Sequence, residues 1–96
     1  MNAPSIQAGT TIRQAPNQIA TDLESDTVIL NLSDGVYYGL NDVGSFVWNA
    51  ISTPKSVSEI CRSVASEYDV DESVCRQDVW ELLNDLLAKD LIEVTE

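Results

Sequence analysis

The sequence predicts an α+β fold, a three-stranded antiparallel β-meander followed by three α-helices, which is the layout of a winged helix-turn-helix domain. Apolar residues alternate with period two through residues 18–40 and recur at helical spacing from residue 41 to 89. Size agrees, because 96 residues hold one core and leave no room for a second. Residues 1–17 are polar, carry Pro4 and Pro16 and show little periodicity, so they read as a flexible N-terminal arm. Residues 18–96 form the single domain.

Each element follows from its own pattern. Ile19, Thr21 and Leu23 alternate with Ala20 and Asp22, a half-buried strand that ends at the polar turn Glu24-Ser25-Asp26. Thr27 to Leu32 is the second strand, with Val28, Leu30 and Leu32 on one face and Ile29 and Asn31 on the other. Asp34-Gly35 supplies the positive φ angles of a tight hairpin turn. Val36-Tyr37-Tyr38-Gly39-Leu40 returns as the third strand, since aromatic and β-branched residues suit a pleated surface.

The first helix carries Val43, Phe46, Val47, Ala50 and Ile51 on one stripe, behind Asn41 or Asp42 as N-cap. Trp48 lies off that stripe, where packing against another helix is its expected role. Pro54 ends the helix, and Ser56-Val57-Ser58-Glu59 has the form of a capping box for the second. That second helix shows Val57, Ile60, Cys61, Val64, Ala65 and Tyr68 at helical spacing. Asp71 should cap the third, with Val70 stapled against Cys75 and a stripe of Cys75, Val79, Leu82, Leu83 and Leu86. The tail from Leu91 to Val94 looks extended and suits a short edge strand.

Charge and missing residues narrow the function. Five Lys and Arg against sixteen Asp and Glu give a net charge of −11. So acidic a chain repels phosphate backbones and anionic membrane surfaces; a basic or neutral peptide is the better partner. No apolar run is long enough to span a membrane, and residues 1–16 lack the features of a secretory signal. With no histidine, Ser–His–Asp and Cys–His catalysis and most zinc or iron sites are excluded. Cys61 and Cys75 fit no metal-ligand spacing and fall on apolar helix faces, as buried thiols do. Asp69, Asp71 and Glu72 lack the glycine and distal glutamate of a calcium loop and are better explained by capping. The expectation is a cytoplasmic, non-catalytic protein with no metal and no cofactor.

Two places offer a binding site. In a simple meander the third strand pairs only with the second, and its other edge is open to a partner strand. Val36 to Gly39 contains no charge and no proline to protect that edge. The alternative is that the third helix or the C-terminal tail covers it. Tyr38 shares a face with Val36 and Leu40 and should be half in the core, whereas Tyr37 lies with Gly39 on the opposite face. The third helix is lopsided: Asp78, Glu81 and Asp85 mark one flank, and Arg76, Trp80, Leu83 and Leu87 the other. Its wide apolar surface suits either a groove facing the sheet or ordinary core filling.

The run Val28-Ile29-Leu30-Asn31-Leu32, Asp34 through Asn41, then Gly44, Phe46 and Trp48, resembles the PqqD-like family. Tyr68-Asp69-Val70, Asp78-Val79, Leu82-Leu83 and Leu91-Ile92 continue the likeness, which covers roughly residues 18–95. The resemblance implies a leader-peptide recognition element for ribosomally made natural products. Such elements bind the precursor's leader as an antiparallel strand beside the third strand, in a cleft against the third helix. Carried onto this chain, the strand contacts fall on Val36, Tyr37, Tyr38 and Gly39, and the helix contacts on Cys75, Asp78, Val79 and Leu82. Should the opposite flank face the cleft, Trp80 and Leu83 take those places. A domain ending at residue 96 with no enzyme attached resembles the free-standing members of lasso-peptide pathways, whose partner enzyme is a leader peptidase. The competing readings are a peptide chaperone for a radical enzyme in quinone cofactor biosynthesis, and a docking subunit that reads no peptide. A DNA-binding winged helix is disfavoured by charge. An open edge strand also makes a homodimer through that edge an expectation.

Overall fold

Alternation along the central strand decides which side of the sheet meets the core. The computed structural model describes residues 6–24 and 26–95, so residues 1–5 of the expected arm, Ser25 of the expected turn and residue 96 lie outside it. Strand β3 (Asp26–Asn31) turns Thr27 and Ile29 inward at 0% exposure, with Asn31 beside them, while Val28 and Leu30 face out and are only half-buried. The buried polar groups on this face are satisfied. The Thr27 hydroxyl donates to Asp22 Oδ1 at 3.1 Å, and Asn31 Nδ2 donates to the Lys89 carbonyl at 3.1 Å.

Strands β2 (Gln18–Leu23) and β4 (Val36–Leu40) flank β3 in an antiparallel sheet of order β2-β3-β4, the expected meander. The hairpin differs from the expected two-residue turn: the loop has four residues, 32–35, and Leu32 leaves the strand. Asn31 Oδ1 accepts from the Ser33 amide and Asp34 Oδ1 from the Val36 amide, each at 2.9 Å, so side chains replace ladder bonds inside the loop. Within the loop only Gly35 takes a positive φ, 71°, and Asp34 does not.

The segment expected as a flexible arm requires the largest revision. Residues Thr11–Gln14 form strand β1, central in a second sheet of order β5-β1-β6 with β5 (Lys55–Ser56) and β6 (Ile92–Thr95). Ile12 sits opposite Lys55 on one side and Val94 on the other and is 0% exposed, and Ile6 and Ala15 are buried nearby. β1 has no neighbour in sequence to pair with. Its partners come from the middle and the end of the chain, so local periodicity does not reveal it. The extended tail is confirmed as β6, an edge strand of this second sheet.

Three helices fill the space between. Helix α1 (Asp42–Ala50) is capped by Asn41, whose Oδ1 accepts from the Gly44 amide at 3.0 Å. Its buried stripe is rotated from the expected one: Val47, Trp48 and Ile51 are in the core, whereas Val43 is exposed. Helix α2 (Val57–Tyr68) opens with the expected capping box. The Ser56 amide donates to Glu59 Oε1 at 2.9 Å and the Glu59 amide to Ser56 Oγ at 3.1 Å. Tyr68 at its end meets Phe46 edge to face, with centroids 5.8 Å apart. Helix α3 (Glu72–Ala88) buries Cys75, Val79, Leu83 and Leu86. Asp71 stands at its N-cap, but its side chain makes no capping hydrogen bond, and Val70, the expected staple, is 42% exposed.

Loss of the Ser56 hydroxyl should therefore cost about 1 kcal/mol in Ser56→Ala, and Asp71→Ala only a few tenths, in urea unfolding monitored by circular dichroism. The backbone and side-chain hydrogen bonds of Ser56 hold the Glu59 carboxyl below its usual pKa. Stability from that bond is present above the unfolded carboxyl's pKa and disappears as pH falls through the lowered folded value. Glu59→Gln should accordingly flatten the acid limb of the stability–pH curve; an unchanged limb would mean that the bond adds nothing.

Candidate functional site

β4 is a strand with one neighbour. It pairs with β3 across Thr27↔Leu40 to Asn31↔Val36, and no other described strand lies along its opposite edge. The C-terminal tail, which might have covered that edge, pairs with β1 in the other sheet instead. Val36, Tyr37 and Gly39 are exposed and Tyr38 is half-buried, so the four strand residues singled out from sequence lie together along one open edge. Alternation sends Tyr37, 68% exposed, to the outer face and Tyr38 to the inner one.

Below the inner side of this edge runs a cleft of about 390 Å³ between the end of β4, the start of α1 and one flank of α3. Asp78, Leu82 and Asp85 form its helical wall, because residues three, four and seven apart share a helix face. Leu40, Asn41, Val43 and Gly44 form the opposite wall. Of these wall residues, Asp78 and Leu82 were expected as contacts and Asp85 was read as part of the acidic flank, whereas Leu40, Asn41, Val43 and Gly44 were not assigned to the site. Gly44 was the available signal: a Cβ there would lie 3.2 Å from Leu40 Cβ, a tight contact that glycine avoids where α1 closes over the end of β4.

Two of the four helix residues expected on the cleft wall are elsewhere. Cys75 and Val79 are buried, at 6% and 1% exposure, on the stripe that holds α3 against the core. Cys75 Sγ lies 3.6 Å from the Cys61 carbonyl of α2, and burial, then the neighbouring Cys75, pushes the Cys61 thiol pKa up. The opposite flank of α3 turns away from the cleft. Leu83 is in the core, and Trp80 Nε1 donates to the Ile6 carbonyl at 3.2 Å. There a larger cavity of about 480 Å³ opens among Ile6, Val57, Cys61, Arg76 and Trp80. No strand edge borders it, so its size gives it no claim over the β4–α3 cleft.

The cleft is acidic but unevenly so. Lys89 Nζ pairs with Asp85 Oδ2 at 2.7 Å and sits 5.4 Å from the Tyr38 ring centroid, closing the end nearest that ring. Tyr38 Oη donates to Asp34 Oδ2 at 3.3 Å; desolvation, then the Asp34 charge, raises its pKa. Asp78 has no ion-pair partner among the described residues, so its carboxylate is left for an incoming cation. An apolar side chain beside Leu82 and a basic one beside Asp78 are what this arrangement accommodates. No three metal-ligating side chains gather among the described residues, and no described helix is long and apolar enough to cross a membrane.

The fold has counterparts among known proteins. The family model described as Coenzyme PQQ synthesis protein D (PqqD) matches residues 26–92. No curated protein matches the chain. Among solved structures, TbiB1 in complex with the TbiA(beta) leader peptide is 30% identical, with a TM-score of 0.79 over 84% of this chain and 94% of that one. Lasso peptide synthetase B1 complexed with the leader peptide is 21% identical, with a TM-score of 0.74 over 85% of this chain and 96% of that one. The PqqD truncation of Methylobacterium extorquens PqqCD, described as a stand-alone recognition element for ribosomally synthesized and post-translationally modified peptides, is 20% identical, with a TM-score of 0.77 over 93% and 95%. The last two show likeness of fold. With its family match spanning most of the sequence, the chain belongs to the PqqD family.

Proposed function

We propose that this protein captures the leader segment of a ribosomally made precursor peptide by strand addition along β4 and presents it to a processing enzyme. The observation that carries this reading is the unpaired β4 edge, whose end at Gly39 and Leu40 borders the β4–α3 cleft. Backbone hydrogen bonds along Val36 to Gly39 set the register of the added strand, and every second leader side chain then drops toward Leu82 and Asp78. The 30% identical relative, TbiB1, is itself described in complex with a leader peptide, which supports the same ligand class here.

The protein acts as a binding module, not a catalyst. In support, the sequence has no histidine to serve as a base, and both thiols are buried rather than poised in the cleft. Cys75 and Val79 act indirectly, by fixing the helix that carries the wall. The processing enzyme is a leader peptidase of the lasso-peptide type. A second reading, a chaperone for a radical enzyme in quinone cofactor biosynthesis, is favoured by the description of the matching family. Both readings place the protein in the cytoplasm, where precursor peptides are made.

The direct experiment is fluorescence anisotropy of labelled leader peptides from precursor genes adjacent to this one. Saturable binding with Kd below about 1 μM that weakens with added salt is expected; no binding to any adjacent leader would sink the proposal. Leu82→Asp should lower affinity at least about tenfold, since burying one apolar side chain is worth roughly 1.5–3 kcal/mol. Asp78→Lys should weaken a leader carrying a basic residue and spare one in which that residue is neutral. Circular dichroism of both variants should match the parent. N-methylation of the leader at alternate positions should abolish binding for one parity only, because an edge strand engages every second amide. Equal losses at both parities would rule out strand addition.

A further inference from the structure

We infer that the outer face of the β2-β3-β4 sheet is the surface by which this protein docks on its processing enzyme, and that the enzyme meets it with a small apolar patch rimmed by basic residues. This rests on the leader-presentation reading above. An antiparallel sheet with one face on the core is expected to carry polar residues on the other. Here the register places Ile19, Leu30 and Tyr37 side by side in one cross-strand row on the outside. Val28 lies in the next row, between Thr21 and Gly39, and Leu23 follows beyond it. Ile19 and Leu23 are 55% and 56% exposed, and the face is dished into a depression of about 360 Å³. None of these side chains adds to the core, which is built from the inward set on the same strands. With Ile19, Leu23 and Tyr37 exposed and Val28 and Leu30 half-buried between them, this is the kind of apolar surface patch that is often functional.

Charge and area choose the occupant. Asp26 stands on the same face opposite Leu23, with Glu24 in the adjoining turn. A second copy would bring the same acids against these and add another net charge of −11. Three strands about 4.8 Å apart, with about 3.3 Å per residue, span on the order of 300 Å². A stable dimer needs about 800 Å² per partner, whereas a transient handover complex needs less. The face also continues into the β4 edge through Tyr37 and Gly39, so a partner seated there lies beside the strand that holds the leader.

The test uses two labelled probes against the same protein: the leader peptide, and the purified processing enzyme encoded with its precursor. Leu30→Lys and the more exposed Ile19→Ser should each weaken enzyme binding at least about tenfold while leader affinity stays within about twofold. Asp26→Lys should weaken enzyme binding and its salt dependence together. Enzyme affinity unchanged in both Leu30→Lys and Ile19→Ser would overturn the inference, as would an enzyme that fails to bind the parent protein. A parent that sediments as a dimer and is dissociated by Ile19→Ser would assign the face to a second copy and overturn it too. Loss of leader binding by the parent itself is a separate result, and removes the strand-addition reading instead.

Discussion

Leu40 is the last residue of β4 and Asn41 is already the cap of α1, so the chain leaves the sheet with no linker between strand and helix. That junction holds because three things coincide there. The Asn41 side chain accepts the Gly44 amide, the Ser45 hydroxyl donates to the Leu40 carbonyl at 3.3 Å, and Gly44 has no Cβ to strike Leu40. The chain therefore turns across the end of the sheet instead of forming another strand beside β4. An open edge and a helical wall next to it are two consequences of one tight turn. A Cβ at position 44 would lie 3.2 Å from Leu40 Cβ, so a larger residue there requires Leu40 to give by a few tenths of an ångström.

Electrostatics pulls the other way from stability. Three ion pairs are formed among the described residues, Arg13–Glu93, Arg76–Glu72 and Lys89–Asp85, and all lie at the surface, where such pairs contribute about 0–1 kcal/mol. Most of the acids among the described residues are thus without a cationic partner, and self-repulsion works against the compact state. The fold offsets this with a largely apolar centre, Ile12, Ile29, Val47, Ile51, Leu83 and Leu91 each at 0% exposure. Neutralising the surface would be the simple route to a more stable domain. Retaining the charge makes sense for a protein whose complement of positive charge arrives with its ligand.

How much of this was legible in the sequence depends on how local each interaction is. The meander, the Asn41 cap and the Ser56–Glu59 box rest on residues a few positions apart, and period and spacing reveal them. β1 rests on pairing with residues 55–56 and 92–95, which no window around Thr11 contains. The inward face of β3 was equally hard to read. Val28, Leu30 and Leu32 form the more apolar set, yet Thr27, Ile29 and Asn31 are the ones buried, because Thr27 and Asn31 satisfy their polar groups through Asp22 and Lys89. At the site, the open strand was readable from its uncharged edge and the acidic flank of α3 from Asp78 and Asp85, whereas Leu82 entered as a cleft contact only through the family resemblance. Cys75 and Val79 share the helix but not the flank, and a turn of about 100° per residue separates core from cleft within four positions.

That reversal on β3 connects the two faces of the sheet. A strand placed by hydrophobicity alone would turn Val28 and Leu30 inward and leave a polar exterior, with nothing for a partner to hold. Two satisfied hydrogen bonds make the opposite orientation tolerable, since a buried polar group costs little once it is paired. The apolar residues so displaced reach the surface beside the strand that carries the open edge. Strand addition on the edge and docking on the outer face, as proposed above, would share β4, with Tyr38 on its inner face and Tyr37 on its outer one. A protein that must hold a peptide and hand it on gains from having both contacts on one rigid strand, because neither then depends on a loop for its position.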